Sequence, residues 1–418
     1  MTTISPAVSC FSSLAEASQM IQQRRVSPVV VVAQCLERIE RLQPELNAFI
    51  TLTPEAAMEQ AKAAEAEIRN GGWKGALHGI PVAVKDFYDT AGIKTTAAFE
   101  YFKMRVPAKD AASVEKLKKA GAIIVGKTNM HALGMGTTGL ESCFGPVRNP
   151  WSQDHIPGGS SSGSAAAVAS GMCYATLDTD AIGSCRLPAA CCGVVGFKGT
   201  YGLIDMKGIL DGERPPEEDI LWMAHAGITT RYVQDTALVL QVLVGQHLRT
   251  GKPQYYGDLT RQRKLRVGVA GNCKCDTTAA EVFERAIETI CDLGYSIKRT
   301  SAPLFDFSKG IASIESDRKA IAEQAFRAAD VLLLPTIPTS VPLVSAAKHP
   351  QALSSAYTSF ANYYSLPAIN IPCGLSGDGL PIGLQIVGKP WDDSAVLRIA
   401  YQYQSQIARG EPRKHPLP

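Results

Sequence analysis

The stretch from Gly158 to Ala167 reads GGSSSGSAAA, and its glycines and serines run directly into a good helix former. A flexible linker would need flexible sequence on both sides, but AAAVASG and then apolar residues follow here. A glycine-rich turn at the start of a helix also presents free N–H groups and the positive end of the helix dipole. The stretch therefore predicts either a phosphate-binding turn or the floor of an active site.

Two short motifs predict different functions: one is typical of nucleotide binding and the other of a serine nucleophile. Residues 121–128 match the nucleotide-binding pattern G-x-x-x-x-G-K-[ST], but their interior AIIV is typical of a buried strand, whereas a phosphate-binding loop is rich in glycine. Residues 159–163 match G-x-S-x-G, which would make Ser161 a nucleophile. None of the seven histidines stands in the context of a catalytic triad. Nucleotide binding by Gly121–Thr128 is kept as an alternative.

Composition indicates a folded protein in a reducing compartment. Of the 418 residues, 45% are hydrophobic and 19% charged, and the formal net charge is +3 without long basic runs, so we expect no nucleic-acid partner. No apolar run reaches the ~18 residues that span a membrane, and the first residues lack a secretion leader, so we expect a soluble, cytoplasmic protein. Eleven scattered cysteines predict reduced thiols, and the isolated pair Cys273 and Cys275 predicts no metal site.

Helix signals dominate the first 72 residues. Ser27-Pro28 and Thr53-Pro54 each pair an N-cap with a proline, and we expect the first helix to end at Pro44 and the second at Gly71-Gly72. Short apolar runs then alternate with helical segments, which indicates an α/β sheet covered by helices. We therefore predict a single domain over residues 1–418, with an N-terminal helical layer over 1–72 and a catalytic α/β core over 73–418.

The segment that follows the Gly/Ser stretch carries a family resemblance. It reads LDTDAIGSCRLPAACCGVVGFKGTYG over residues 177–202. Together with GGSSSGSAAAVASG it resembles the amidase signature family, whose pattern runs approximately GGSSGGS, GTDTGGSIRIPA and CGVVGFKPTYG. The segments LNAFI, GKTNM and ADVLLLPTIP also look like family segments, so the resemblance covers nearly the whole chain. It implies the amidase signature fold, a mixed, mostly parallel twisted β-sheet sandwiched between α-helices.

The resemblance implies a catalytic triad of Lys85, Ser160 and Ser184, with a cis peptide bond at Ser160. A serine hydroxyl is a poor nucleophile until a base takes its proton, and a lysine is a base only when its amine is neutral. An ordinary lysine has a pKa near ~10.4, so burial at the end of the apolar strand PVAV must lower the pKa of Lys85. Ser184 would then attack a carbonyl carbon and form an acyl-enzyme.

Other residues would support this triad. The backbone N–H groups expected to hold the oxyanion belong to Ala181, Ile182, Gly183 and Ser184. The residues expected to shape and hold the surrounding loops are Gly158, Gly159, Ser161, Asp180 and Arg186. Ile182 stands where the family usually has glycine, so this turn must either stay in a permitted φ region or be strained.

Two differences in length bear on the substrate pocket. The acidic loop Asp211–Asp219 is longer than the family leads us to expect, and the stretch between about Gly245 and Asp330 is shorter. We expect a compact, open pocket that Met130, Trp222 and Met223 help to line.

The resemblance implies a hydrolase that cleaves the C–N bond of a linear amide or carbamate (urethane), not a peptide bond, with some esterase activity. Its partner would be a small amide, carbamate or ester, without nucleic acid, membrane, metal or cofactor, and a homodimer is left open. One branch of the family transfers ammonia onto aminoacyl-tRNA. An amidotransferase subunit that releases ammonia from glutamine or asparagine within a complex is therefore the alternative.

Overall fold

The fold is organised around one mixed sheet. The computed structural model describes residues 9–213, 220–244, 254–306, 308, 310–410 and 416. The strands in these ranges are β1 (Phe49–Leu52), β2 (Pro81–Lys85), β3 (Ile123–Thr128), β4 (Ala175–Asp180), β5 (Val195–Lys198), β6 (His225–Thr230), β7 (Arg266–Ala270), β8 (Ser296–Thr300), β9 (Val331–Pro335), β10 (Ala368–Leu375) and β11 (Pro381–Gly388). They pair in the order β1-β3-β2-β4-β6-β5-β10-β11-β9-β7-β8.

Helices surround this sheet. They are α1 (Leu14–Gln22), α2 (Pro28–Leu46), α3 (Pro54–Arg69), α4 (Ala112–Lys119), α5 (Ser162–Ala169), α6 (Arg186–Cys192), α7 (Ile220–Met223), α8 (Val233–Val244), α9 (Tyr255–Asp258), α10 (Thr277–Asp292), α11 (Ile314–Ala325), α12 (Ser359–Tyr363) and α13 (Asp393–Gly410). In the described part of the chain, no helix combines the length and apolar character that crossing a bilayer requires.

The predicted α/β class and the mixed sheet are confirmed, but the sheet is less parallel than expected. Strand β2 pairs in parallel with β3 and β4, and β7 pairs in parallel with β8 and β9. The other pairings between the described strands are antiparallel, because β10 and β11 form a hairpin and β6 runs opposite to both of its neighbours. Apolar runs of this length do not reveal strand direction.

The N-terminal region differs from the prediction in two ways. Strand β1 joins the sheet beside β3, so residues 1–72 contribute more than a layer of helices. Helix α2 also continues through Pro44 to Leu46. A proline in the exposed last turn removes one helix hydrogen bond, and the left-handed Asn47 then ends the helix by donating its N–H to the Gln43 carbonyl.

The parallel strands β2, β3 and β4 place polar side chains at one edge of the sheet. Their carboxyl ends carry Lys85, Thr128 and Asp180, and all three residues are buried. Parallel strands end at the same edge, so residues that are about 40 to 95 positions apart in sequence meet there. This edge is where the predicted active site lies.

The nucleotide-binding alternative at Gly121–Thr128 is wrong. Residues 123–128 form the buried strand β3, as the run AIIV indicated, and not a phosphate-binding loop. The Lys127 ammonium is fully buried, where it donates to Tyr88 O at 2.7 Å and Thr95 Oγ1 at 2.6 Å and lies 3.4 Å from Asp86 Oδ1. Its donors are therefore occupied inside the core and do not face a ligand.

Candidate active site

Lys85 ends β2 inside a cluster of hydroxyl groups. Its Nζ lies 2.7 Å from Ser160 Oγ, 2.9 Å from Ser161 Oγ and 2.9 Å from Thr179 Oγ1. The side chain is fully buried. A protonated lysine would donate all three of these hydrogen bonds, whereas a neutral amine donates two and accepts the third from a hydroxyl. The position is therefore suited to an amine that exchanges a proton with a serine.

Burial lowers the pKa of this amine, so that it can act as a base. Desolvation lowers the pKa of Lys85 from its ordinary value of 10.5 to about 8, although the carboxylates of Asp178 and Asp180 partly oppose the shift. At pH 7 a group with this pKa is neutral in roughly one molecule in ten, compared with well under one in a thousand for an exposed lysine. The sequence-based expectation of a lowered pKa agrees with this environment.

The Gly/Ser stretch leads into α5 and brings Ser160 to Lys85. The Gly159–Ser160 peptide bond is cis, as the family resemblance implied. Gly158 has φ +75°, and a Cβ atom there would lie 2.8 Å from Pro188 Cα. A Cβ atom on Gly159 would lie 2.8 Å from Gly139 N. Neither position has room for a side chain, so the stretch forms a tightly packed part of the site and not a linker.

Ser184 follows β4 on a turn that a buried ion pair holds in shape. Arg186 donates to both carboxylate oxygens of Asp180, from Nε at 3.0 Å and from Nη2 at 2.9 Å. The same carboxylate accepts the N–H groups of Gly183 and Cys185. Burial alone would raise the pKa of Asp180, but the Arg186 guanidinium, the Asn362 amide and the Lys198 charge together outweigh burial and hold this pKa well below its usual range.

We expect Arg186→Met to lower the free energy of unfolding by about 3–5 kcal/mol, because it leaves the Asp180 carboxylate buried without its cation. Denaturant titration measures this loss. The matched control is Arg299→Met, which removes an exposed ion pair with Glu284 and should have a far smaller effect. Equal losses in the two variants would contradict the structural role assigned to Arg186.

Backbone N–H groups beside Ser184 are available for an oxyanion, with one correction. The Gly183 N–H already donates to Asp180 Oδ1 at 2.9 Å, so it is not available to an oxyanion as the sequence led us to expect. The N–H groups of Ala181, Ile182 and Ser184 have no hydrogen-bond acceptor among the described residues. Ile182 has a negative φ, so the turn accommodates a β-branched residue in a permitted region.

Ser160 and Ser184 line one cavity of about 820 Å³ together with Thr179 and Ala181. The Ser161 N–H donates to the Ser184 carbonyl at 3.0 Å, which connects the start of α5 to the turn that carries Ser184. The Ser184 hydroxyl makes no hydrogen bond within the described residues. It is therefore free to approach a ligand. A hydrogen bond from Ser184 to Ser160 is part of the proposed mechanism and not of the structure, because catalytic hydrogen bonds often shorten only when substrate binds.

The walls of this cavity are mainly apolar. Its lining includes Phe87, Leu133, Leu203, Ile204 and Ile209. Charged lining side chains lie on the exposed segment 205–213, apart from Lys116, whose ammonium donates to the Leu243 carbonyl at 2.6 Å. The described part of the acidic loop, residues 211–213, also lines the cavity, and residues 214–219 lie outside the described ranges.

The predicted lining roles of Met130, Trp222 and Met223 are wrong for this cavity. Met130 is fully buried, and Met223 packs beside Ile314 and Tyr363. Trp222 is 43% exposed and does not face the cavity. Residues 220 and 221 of the short helix α7, and residue 224 just after it, supply the lining instead. The prediction therefore named the right segment but the wrong residues.

Sequence reasoning missed two residues that contact the site. Thr179 bonds Lys85, and its place at the end of β4, parallel to β2, is a signal that could have found it. Asn362 donates to the Asp180 carbonyl at 2.8 Å and to Asp180 Oδ1 at 2.9 Å from a distance of 182 residues. No local pattern predicts such a long-range contact.

Other reactive groups near the turn do not offer a competing nucleophile. Burial raises the pKa of the Cys185, Cys191 and Cys192 thiols, so these groups are poor thiolates. All eleven cysteines are free in the structure. Among the residues that the structure describes, no group of three or more His, Cys, Asp or Glu side chains is arranged to hold a metal ion.

Comparison with known proteins assigns the family. The family model described as Amidase matches residues 30–316 and 308–397. The chain belongs to the amidase family. It is an amidase signature enzyme that acts on carbon–nitrogen bonds, and its nearly complete match agrees with the resemblance seen in the sequence.

Curated relatives and solved structures extend this result. The A-type subunit of the glutamyl-tRNA(Gln) amidotransferase of Thermoanaerobacter pseudethanolicus is 33% identical over 472 residues, which cover 93% of this chain and 95% of the relative. Its counterpart in Nostoc punctiforme is 30% identical over 480 residues, with coverages of 94% and 97%. The native peptide amidase of Stenotrophomonas maltophilia has a TM-score of 0.83 at 25% identity, covering 97% of this chain and 98% of that chain.

The alignments also show that this amidase is short. An alignment of 472 positions that includes 93% of a 418-residue chain leaves roughly eighty positions of the relative without a counterpart. The two segments matched by the family model overlap at residues 308–316. The place of the shortening, between about Gly245 and Asp330, stays a prediction.

Proposed function

We propose that this enzyme hydrolyses the C–N bond of an amide or carbamate through a Ser184 acyl-enzyme. Neutral Lys85 takes the proton of Ser160, which takes that of Ser184, and Ser184 Oγ forms a bond to the carbonyl carbon. The N–H groups of Ala181, Ile182 and Ser184 hold the resulting oxyanion. The relayed proton goes to the departing nitrogen, and water then releases the acyl group from Ser184. The three contacts of the buried Lys85 amine are the observation that carries this proposal.

The apolar cavity supports an uncharged substrate with an apolar group. Buried apolar walls favour apolar substituents, whereas the charges of a free amino acid need polar partners to offset the loss of water. No arginine lines the described cavity. Carbamates and esters form the same tetrahedral intermediate as amides, so we include carbamate hydrolysis and expect some esterase activity. A small aryl amide or urethane is the preferred substrate.

Sequence similarity favours a second candidate. The curated relatives described above are amidotransferase subunits, and they align with this chain over more than nine-tenths of its length. In this second function the same acyl-enzyme chemistry would release ammonia from glutamine or asparagine within a complex. The apolar cavity argues for the first candidate and the relatives argue for the second, so one experiment must compare both.

A substrate panel separates the two candidates. We expect the purified enzyme to turn over aryl amides or carbamates such as p-nitroanilides, with kcat/KM at least tenfold above that for glutamine or asparagine, because uncharged apolar groups fit the walls better. Release of p-nitroaniline and of ammonia measures the two activities, and Ser184→Ala is the background control. Ammonia release from glutamine or asparagine without aryl amide turnover would favour the amidotransferase.

A further inference from the structure

Arg318 connects two short helices beside the active site. From α11 its Nη2 donates to the Trp222 carbonyl of α7 at 2.5 Å, and its Nε donates to the Tyr363 carbonyl of α12 at 2.7 Å. Nη2 also lies 3.3 Å from the Asn362 carbonyl. A single guanidinium therefore fixes the distance between α7 and the helix whose Asn362 side chain binds the turn that carries Ser184.

The same guanidinium covers an aromatic ring of the cavity wall. Arg318 Cζ lies 4.5 Å from the centre of the Tyr201 ring, and the Tyr201 hydroxyl donates to the Leu221 carbonyl at 3.2 Å. Tyr201 and Leu221 both line the cavity that contains Ser184. A planar cation can stack on a ring and donate sideways at once, which an ammonium group cannot do. We call Arg318, Tyr201 and Leu221 the Arg318 clamp.

The wall needs an external anchor because α7 is short. A four-residue helix closes very few hydrogen bonds of its own, so its position depends on packing and on side chains from other elements. Met223 packs against the cluster of Ile314 and Tyr363, and Arg318 supplies the polar contacts on the same side. Removing the guanidinium would release the Trp222 carbonyl of α7 and uncover one face of Tyr201.

We propose that Arg318 is a positioning residue that holds Tyr201 and α7 together as one wall, and that this wall limits the size of the apolar group accepted beside Ser184. The inference rests on the proposed nucleophile Ser184 but not on which amide or carbamate is hydrolysed. It predicts that loosening the clamp changes selectivity for size more than it changes the reactivity of the serine.

The test compares how fast Ser184 reacts with a small methylphosphonofluoridate and a bulky benzylphosphonofluoridate. In each reaction Ser184 Oγ bonds to phosphorus as fluoride leaves and the hydroxyl proton passes to the base, so no amide turnover is needed. We expect Arg318→Met to raise the bulky-to-small ratio of labelling rates by about fivefold or more, with the small probe's rate within about twofold. Tyr201→Ala should shift the ratio in the same direction, and Arg318→Lys should not restore it.

Two controls make the result specific. Lys319→Met changes the exposed neighbour of Arg318 on α11 and should leave the ratio unchanged. The double variant Arg318→Met/Tyr201→Ala should shift the ratio no further than Tyr201→Ala does, because both changes act on one wall. An unchanged ratio in Arg318→Met, additive shifts, or an equal slowing of both probes would overturn the inference. Labelling with the expected ratios but without amide or carbamate turnover would refute the proposed function alone, and absence of Ser184 labelling would refute both.

Discussion

Ser184→Ala is expected to lower kcat/KM for the best amide substrate by about 10⁴-fold or more. The acyl-enzyme cannot form without the Oγ atom, and what remains is the modest rate that oxyanion donors and binding alone provide. The substitution removes a hydroxyl that makes no hydrogen bond within the described structure, so the fold should be unaffected. Steady-state kinetics with a p-nitroanilide, followed alongside thermal unfolding, measures both effects.

Two nearby serines serve as matched controls for this prediction. The Ser162 hydroxyl is buried without a described hydrogen-bond partner, so Ser162→Ala should leave kcat/KM almost unchanged. Ser161→Ala removes one contact of Lys85 and should lower the rate by about tenfold, far less than loss of the nucleophile. If Ser161→Ala abolished activity while Ser184→Ala retained it, the G-x-S-x-G alternative would replace the present assignment.

Lys85→Met is expected to lower kcat/KM for amides by about 10³-fold, because a positioned general base contributes 10²–10⁴-fold. Methionine nearly fills the space of the lysine stem but cannot accept the Ser160 proton. The loss should be smaller for an ester with a good leaving group, which needs less protonation as it departs. Comparing a p-nitroanilide with the matching p-nitrophenyl ester measures the difference, and equal losses for both would argue against proton delivery by Lys85.

The lowered pKa of Lys85 fixes the direction of the pH dependence. Because the neutral amine is the active form, kcat/KM should rise with pH through a midpoint at about 8. Between pH 8 and 10.5 the unfolded chain binds more protons at this lysine than the native protein does. The contribution of Lys85 to the free energy of unfolding therefore increases with pH in that window. Deprotonation of Lys85 thus raises the activity without destabilising the native protein.

The sequence predicted those parts of the site that short patterns encode. The apolar run before Lys85 indicated a buried strand, and the structure has the buried strand β2 there. The apolar run AIIV likewise lies largely in a strand, β3. The resemblance supplied the pairing of Lys85 with Ser160, which the 2.7 Å contact agrees with. Strand direction was harder to predict, because a short strand pattern is compatible with either orientation, and β5 and β6 pair antiparallel.

What the sequence could not predict depends on contacts between distant segments. The four-residue helix α7 carries no sequence pattern that indicates which of its residues lines the cavity, and here Leu221 lines it and Trp222 does not. Gly183 was expected to bind the oxyanion, but the Asp180 carboxylate takes its N–H after the turn folds. Asn362 and Gln385 complete the Arg186 network from far along the chain, where no spacing relates them to the arginine.

The pH dependence of Ser184 labelling tests the central claim most directly, because it reports the serine's reactivity without any assumption about substrate. With the small methylphosphonofluoridate, we predict a rate that rises between pH 6 and 10 along a single titration near pH 8 and that becomes slow and flat in Lys85→Met. Peptide mapping should place the adduct on Ser184. A wild-type rate that does not change over this range, or one that Lys85→Met leaves intact, would contradict activation of Ser184 by the buried amine.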